Sequence, residues 1–308
     1  MGLLSRIGLL VDTWNGPSQM KQFAEGWPSK TSDDIKFYRT PLAQYRYRER
    51  GEGPTNQGPT IVFSADPPVT LEAYDELIKL FSTQFRVIVF EMPAMGFSAP
   101  ARGYTFGFRE TCDDVAVFMR QVAGEGAVLA FSCAVGLVAV DIAARWPDLV
   151  SKLVLMQTTD VAGFERWKQS RDPKGVLARP ILGQLAMRKF ASARMPYWFR
   201  LSAGREKTHD QLCACTVPAM EHGSGWALAS IYQKFLSSDI ELAPPSQPVL
   251  ALWGMADKSH SKDNVEGSKN FTDKVQYVSF DDLGHFSELE DPERVFGLIR
   301  DFCFPKKY

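Results

Sequence analysis

An excess of charge of either sign, paired cysteines and long apolar runs are all missing from this chain of 308 residues. Its 35 basic residues stand against 36 acidic ones and are interspersed with them. Without a basic or acidic face there is no reason to expect nucleic acid or an anionic membrane as a partner; the charges describe an ordinary solvated surface. The five cysteines, Cys112, Cys133, Cys213, Cys215 and Cys303, form no metal pattern. Cys213 and Cys215 are too close for a zinc hairpin, and no paired Cys or His run completes a site. An odd count in a long chain also argues against a disulfide framework, so a reducing cytoplasm is the expected setting. Internal repeats and low-complexity tracts are absent too.

No stretch reads as an integral membrane segment. The apolar residues at the N-terminus are broken by Asp12, are too few to span a bilayer, and precede no cleavage-like site. Leu3, Leu4, Ile7, Leu10, Val11 and Trp14 recur at helical spacing. They predict an amphipathic helix in an N-terminal extension, residues 1–34, that packs on the body or on a partner. Attachment to a membrane surface is the weaker alternative, and a homodimer is a separate expectation for the chain.

What the chain does have is apolar material, 45% of its residues, in a regular alternation. Thr60–Ser64 and Arg86–Phe90 are short β-branched and aromatic runs, with Leu71–Phe81 helical between them. Cys112–Val122 reads as an amphipathic helix, followed by strand Ala127–Phe131, helix Ala134–Arg145 and strand Lys152–Gln157. Far downstream come strands Pro248–Trp253 and Val275–Phe280 and a helix from Asp291. Strands alternating with helices predict an α/β fold, a mostly parallel sheet covered on both faces. Ala43–Arg48 would supply an antiparallel edge. Between Thr158 and Pro248 the alternation stops in a Trp-, Met- and Arg-rich stretch that reads as helices. The organisation is therefore a core of 35–157 and 248–308, interrupted by a helical insertion, 158–247.

In parallel sheets reactive groups sit beyond the carboxyl ends of strands. Three such ends carry candidates: Phe131-Ser132-Cys133-Ala134-Val135-Gly136, Gly254-Met255-Ala256-Asp257, and Gly284-His285-Phe286. Their order is nucleophile, acid, histidine. Val128–Pro147 is similar to a nucleophile-elbow strand and helix, Glu91–Ser98 to an acidic-x-Pro-Gly-x-Gly-x-Ser loop, and Gly284-His285-Phe286 with Glu290-Asp291-Pro292 to a histidine loop. On these stretches the chain resembles the α/β-hydrolase superfamily over nearly its whole length, in the branch with a helical cap. The resemblance implies a catalytic triad and no metal or organic cofactor.

The elbow departs from G-x-S-x-G and leaves two frames open. With Cys133 as nucleophile, Gly136, Ala143, Ala144, Arg145 and Pro147 fall where the family's helix expects them. A shift of one residue would rotate that helix by about 100°. With Ser132 as nucleophile, small Ala130 and Ala134 flank it as a tight turn prefers. A cysteine suits the chemistry, since a neighbouring imidazole lowers its pKa toward a thiolate. His285 would then take the thiol proton and Asp257 would fix its tautomer, with Asp160 as a rival acid. The resemblance places oxyanion donors at the backbone N–H groups of Asp66 and Ala134. Here, however, Ser64-Ala65-Asp66-Pro67 replaces the usual His-Gly, and a carboxylate there disfavours an oxyanion.

The insertion would line the substrate pocket, with Trp167, Trp198 and Trp226 foremost and Phe164, Met195, Tyr197 and Phe199 beside them. Lys168, Arg171, Arg194 and Arg200 would meet a carboxylate or phosphate, or simply face solvent. The resulting expectation is an acyl-transferring hydrolase for a small-molecule ester, thioester or lactone, thioesterase- or esterase-like. It would work through an acyl-Cys133 intermediate that passes to water, an amine or a hydroxyl. A catalytically silent ligand-binding protein of the same fold is the alternative, favoured by the altered elbow and opposed by Asp257 and His285.

Overall fold

The β-branched and aromatic runs become the strands of one sheet. The structure is a computed structural model that describes residues 2–26, 34–51, 59–237, 239–260 and 263–305. Its strands are β1 (Ile35–Arg39), β2 (Ala43–Arg50), β3 (Thr60–Ser64), β4 (Arg86–Phe90), β5 (Ala99–Pro100), β6 (Ala127–Ser132), β7 (Val150–Met156), β8 (Val249–Gly254) and β9 (Val275–Phe280). They lie in the order β1-β2-β4-β3-β6-β7-β8-β9, with the short β5 paired to β2. From β4 through β9 every pairing on this path is parallel, whereas β1, β2 and β5 pair antiparallel. The antiparallel segment read at Ala43 is thus not the edge: β1 lies outside it.

The helices are α1 (Leu3–Gly26), α2 (Asp75–Phe81), α3 (Phe108–Val122), α4 (Val135–Arg145), α5 (Val161–Arg171), α6 (Leu182–Ser202), α7 (Glu206–Glu221), α8 (Leu228–Gln233), α9 (Asp263–Gly267), α10 (Ser287–Glu290) and α11 (Pro292–Cys303). The helix expected over Leu71–Phe81 is split, with a 3₁₀ turn at Leu71–Tyr74 before α2. Helix α11 shows how local sequence sets an element. Asp291 accepts from the Arg294 N–H at its start, Pro292 occupies its first turn, and Val295, Phe296, Ile299 and Phe302 form its buried face. Strands β3 and β6 are buried along their whole length, as a sheet covered on both faces requires.

Helices α5 to α8 fill the interval between β7 and β8 and form the cap. Helix α1 reaches this cap, but not by the expected stripe. Leu3, Leu4, Ile7, Leu10 and Trp14 are exposed, Leu3 by 73%, while Leu9, Asp12 and Thr13 are buried. Gly8 makes the approach possible, since a Cβ there would lie 3.0 Å from the Gln184 side chain. Asp12 then accepts from Ser230 Oγ at 2.6 Å and Gln184 Nε2 at 3.3 Å, and pairs with Arg188 at 2.9 Å. The periodicity located the helix; close packing at a glycine and a buried carboxylate chose its inner face. Among the described residues, no helix is long and apolar enough to cross a membrane.

Candidate active site

Four strand ends converge on one point. β3 and β6 are neighbours whose onward connections leave in opposite directions along the sheet, to β4 and to β7. The crevice at such a switch point is where parallel sheets bind ligands. Cys133 stands there, in the turn between β6 and α4, with φ +52°. A left-handed backbone at a residue with a Cβ costs about 1–2 kcal/mol. Surrounding bonds hold it: Cys133 N–H donates to Met156 O at 2.8 Å, and its carbonyl accepts from Thr158 Oγ1 at 3.0 Å. Gly136 is required at the next turn, because a Cβ would fall 2.1 Å from Thr158 Oγ1. Ser132, one residue earlier, is still strand and points elsewhere; its hydroxyl donates to Glu288 Oε1 at 3.3 Å.

His285, in the loop after β9, meets a carboxylate at each ring nitrogen. Nδ1 lies 2.8 Å from Asp257 Oδ2 and Nε2 lies 2.9 Å from Asp66 Oδ2. A sulfur, nitrogen and carboxylate oxygen of Cys133, His285 and Asp66 all fall within 4.8 Å of one another. Asp257 is held tightly. Its Oδ1 accepts from the Ser259 N–H at 2.6 Å, and its Oδ2 accepts from Gln157 Nε2 and His260 Nδ1, each at 2.9 Å. His260 stacks on His285 with centroids 4.9 Å apart, and Trp167 stacks on the outer face of His260 at 5.6 Å. Asp257, His260 and His285 bring three ligand-type atoms within 4.8 Å. The space between them is bridged by hydrogen bonds, so a metal would bind only by displacing those protons.

The alpha/beta hydrolase fold family model matches residues 67–292. The chain belongs to that family. Solved α/β-hydrolase structures superpose closely at low identity. An enol-lactonase from Burkholderia xenovorans LB400 gives TM-score 0.69 at 22% identity, covering 87% of this chain and 99% of its own. A Pseudomonas aeruginosa protein assigned as an epoxide hydrolase gives 0.73 at 17%, covering 88% and 95%. A Nostoc sp PCC 7120 protein assigned to the α/β hydrolases gives 0.75 at 19%, covering 90% and 99%. Among curated proteins none matches the sequence significantly.

Within this α/β hydrolase the oxyanion site differs from the expectation. The Asp66 backbone N–H donates to the Tyr74 hydroxyl at 3.1 Å, so one of the two expected donors is already used inside the protein. The rival acid Asp160 is engaged elsewhere: it caps α5 by accepting from Gly163 N–H at 2.7 Å and takes a bond from Asn270 Nδ2 at 2.8 Å. Of the three tryptophans, Trp198 packs edge-on to His285 at 5.7 Å and Trp167 backs His260. Trp226 instead lies under the Arg188 guanidinium at 4.9 Å, where Arg188 pairs with Asp12 of α1.

The surroundings of Cys133 do not favour the thiolate. Burial first, and the Asp66 carboxylate second, push the Cys133 thiol above its ordinary value; His285 and the Ala134 N–H pull it down by less. Burial also opposes charge on His285, but Asp257, then Asp66 and Cys133, outweigh it and hold the imidazole well above its usual value. Burial would likewise raise Asp257, yet the charge of His285 and bonds from His260 and His285 hold it well below the usual carboxylate range. Both shifts run the same way, against a thiolate and toward a proton on His285. His260 goes the other way, lowered by burial despite Asp257. Its Nδ1–H donates to Asp257, and Nε2 is a buried atom without a partner among the described residues. Sequence reasoning missed His260. Only four histidines occur in the chain, and one lying three residues after the candidate acid was the available signal.

Proposed function

We propose that this protein is a hydrolase that cleaves an ester, thioester or lactone through an acyl-Cys133 intermediate. The observation carrying the reading is the left-handed turn at Cys133, beside an imidazole oriented by Asp257. The enol-lactonase that shares the fold is consistent with it. On this reading substrate entry moves the Nε2 proton of His285 onto Asp66. The freed Nε2 takes the thiol proton as sulfur bonds to the carbonyl carbon, and the carbonyl π pair moves onto oxygen. Neutral Asp66 then donates its O–H to that oxyanion, in place of its own N–H, which Tyr74 holds. Collapse expels the leaving group with the proton from His285. Water, or an amine or hydroxyl acceptor, releases the acyl group with His285 as base.

The Asp66 N–H held by Tyr74, and so not free for an oxyanion, favours one second reading, a ligand-binding protein that forms no adduct. Intact-protein mass spectrometry after exposure to a panel of acyl thioesters separates the two. A wild-type adduct that persists in Ser132→Ala and vanishes in Cys133→Ala is expected. An adduct lost in Ser132→Ala and kept in Cys133→Ala would move the nucleophile to Ser132. No adduct in any variant, with ligand binding intact, would leave the binding protein.

A further inference from the structure

The cap carries a groove of about 830 Å³, lined mainly by apolar side chains of α6 and the segment after α5. Val176, Leu177, Met187, Phe190 and Met195 form its walls, and Arg171, Lys174 and Arg194 stand along it. Its size falls within the range of small-ligand sites. The groove touches the catalytic cluster at two points. Trp198 lines it and also packs against His285. Arg171 donates to the Ser259 carbonyl, and the Ser259 N–H holds Asp257. A second, smaller hollow of about 240 Å³ is lined by the same Arg171, Arg194 and Trp198.

The charge around the groove is unbalanced. Among the described residues no carboxylate pairs with Arg171, Lys174 or Arg194. The one acid in the lining, Asp172, is committed to the backbone, accepting from Val176 N–H at 2.7 Å and Ala178 N–H at 2.9 Å. The other cations of the cap seen in the sequence are occupied: Lys168 pairs with Glu165, and Arg200 with Glu206. An apolar trough ending on guanidinium groups that meet no carboxylate among the described residues selects for a molecule that is apolar along its length and anionic at one place.

We propose that this groove binds an anionic amphiphile, an alkyl or aryl chain bearing a carboxylate or phosphate received by Arg171, Lys174 and Arg194. As a statement about the substrate class it rests on the hydrolase reading above, and the reacting carbonyl then passes the Trp198 ring to reach Cys133.

Binding is measured by calorimetry on the Cys133→Ala protein, with dodecanoate, dodecyl phosphate and dodecanol below their aggregation limits. The anions should bind roughly tenfold more tightly than the alcohol, a preference set by charge-assisted bonds. Comparing the carboxylate with the phosphate tells which head the arginines receive. Arg194→Glu, at an exposed position, should erase the preference and leave dodecanol binding unchanged. Ala186→Trp should obstruct the groove and weaken all three probes. Equal binding of anions and alcohol, or an unaltered preference in Arg194→Glu, would overturn the proposal. The two readings fail separately. Anion-selective binding without any wild-type acyl adduct removes the hydrolase but keeps the groove, while adducts from neutral thioesters with no anion selectivity do the reverse.

Discussion

Asp257, beyond β8, and Asp66, beyond β3, reach the two nitrogens of one imidazole at 2.8 and 2.9 Å, yet their surroundings differ. Asp257 is also held by Ser259 N–H, Gln157 and His260, so its position is over-determined. Among the described residues the Asp66 carboxylate meets His285 alone, while its backbone is tied by its N–H to Tyr74 and by its carbonyl to the Val69 N–H. Equal distances therefore conceal unequal jobs. On the proposed mechanism the carboxylate held by four donors orients the imidazole, while the one with a single contact is left to move.

The largest effect should come from breaking the rigid partner. Asp257→Asn should cut turnover on the order of 10³–10⁴-fold while the fold persists, because the wrong tautomer of His285 then faces Cys133. Turnover is measured on the best thioester of the panel, with circular dichroism as the check on folding. A near-normal rate would remove Asp257 from the role of orienting acid.

Breaking the other partner should have a smaller effect, and of opposite sign on thiol chemistry. The Asp66 charge helps to raise the Cys133 thiol, so Asp66→Asn should speed iodoacetamide alkylation of Cys133 near neutral pH. Turnover should fall in the same variant, since an amide cannot take up the Nε2 proton of His285 as the proposed mechanism requires. Unchanged alkylation would mean that burial alone sets the thiol.

The smallest effect concerns Glu288, under Ser132, which burial raises from 4.5 to about 7. A carboxyl raised in the folded state binds more protons there than in the unfolded chain. Its stabilisation is full below the unfolded value and is lost as pH climbs from about 4.5 through about 7, by at most about 1.4 kcal/mol per pH unit. Glu288→Gln should flatten the decline of melting temperature over that window. His285, raised as well, adds a loss of the same sign that the variant leaves in place.

Much of the scaffold was legible because parallel strands are built from short β-branched and aromatic runs. Thr60–Ser64, Arg86–Phe90 and Val275–Phe280 match the structure to the residue. Less was legible where tertiary contacts decide. Nothing in Leu71–Phe81 announces the break at Tyr74, whose hydroxyl is turned to the Asp66 backbone. The strand ends carrying Cys133, Asp257 and His285 were readable from order and turn chemistry. That Asp66 swings its side chain onto His285, and that His260 slides beneath it, depends on rotamers in a folded crevice, which spacing along a chain does not encode.

The buried Asp12 of α1 has a mechanical consequence. The cap leaves the sheet after β7 and returns at β8, and Asp12 pins it a third time through Ser230, Gln184 and Arg188. Two strand attachments alone would form an axle about which a roof could tilt; a third fixing off that line turns the axle into a tripod. Passage to the imidazole then falls to individual side chains such as Trp198, swinging like a wicket in a gate that stays shut.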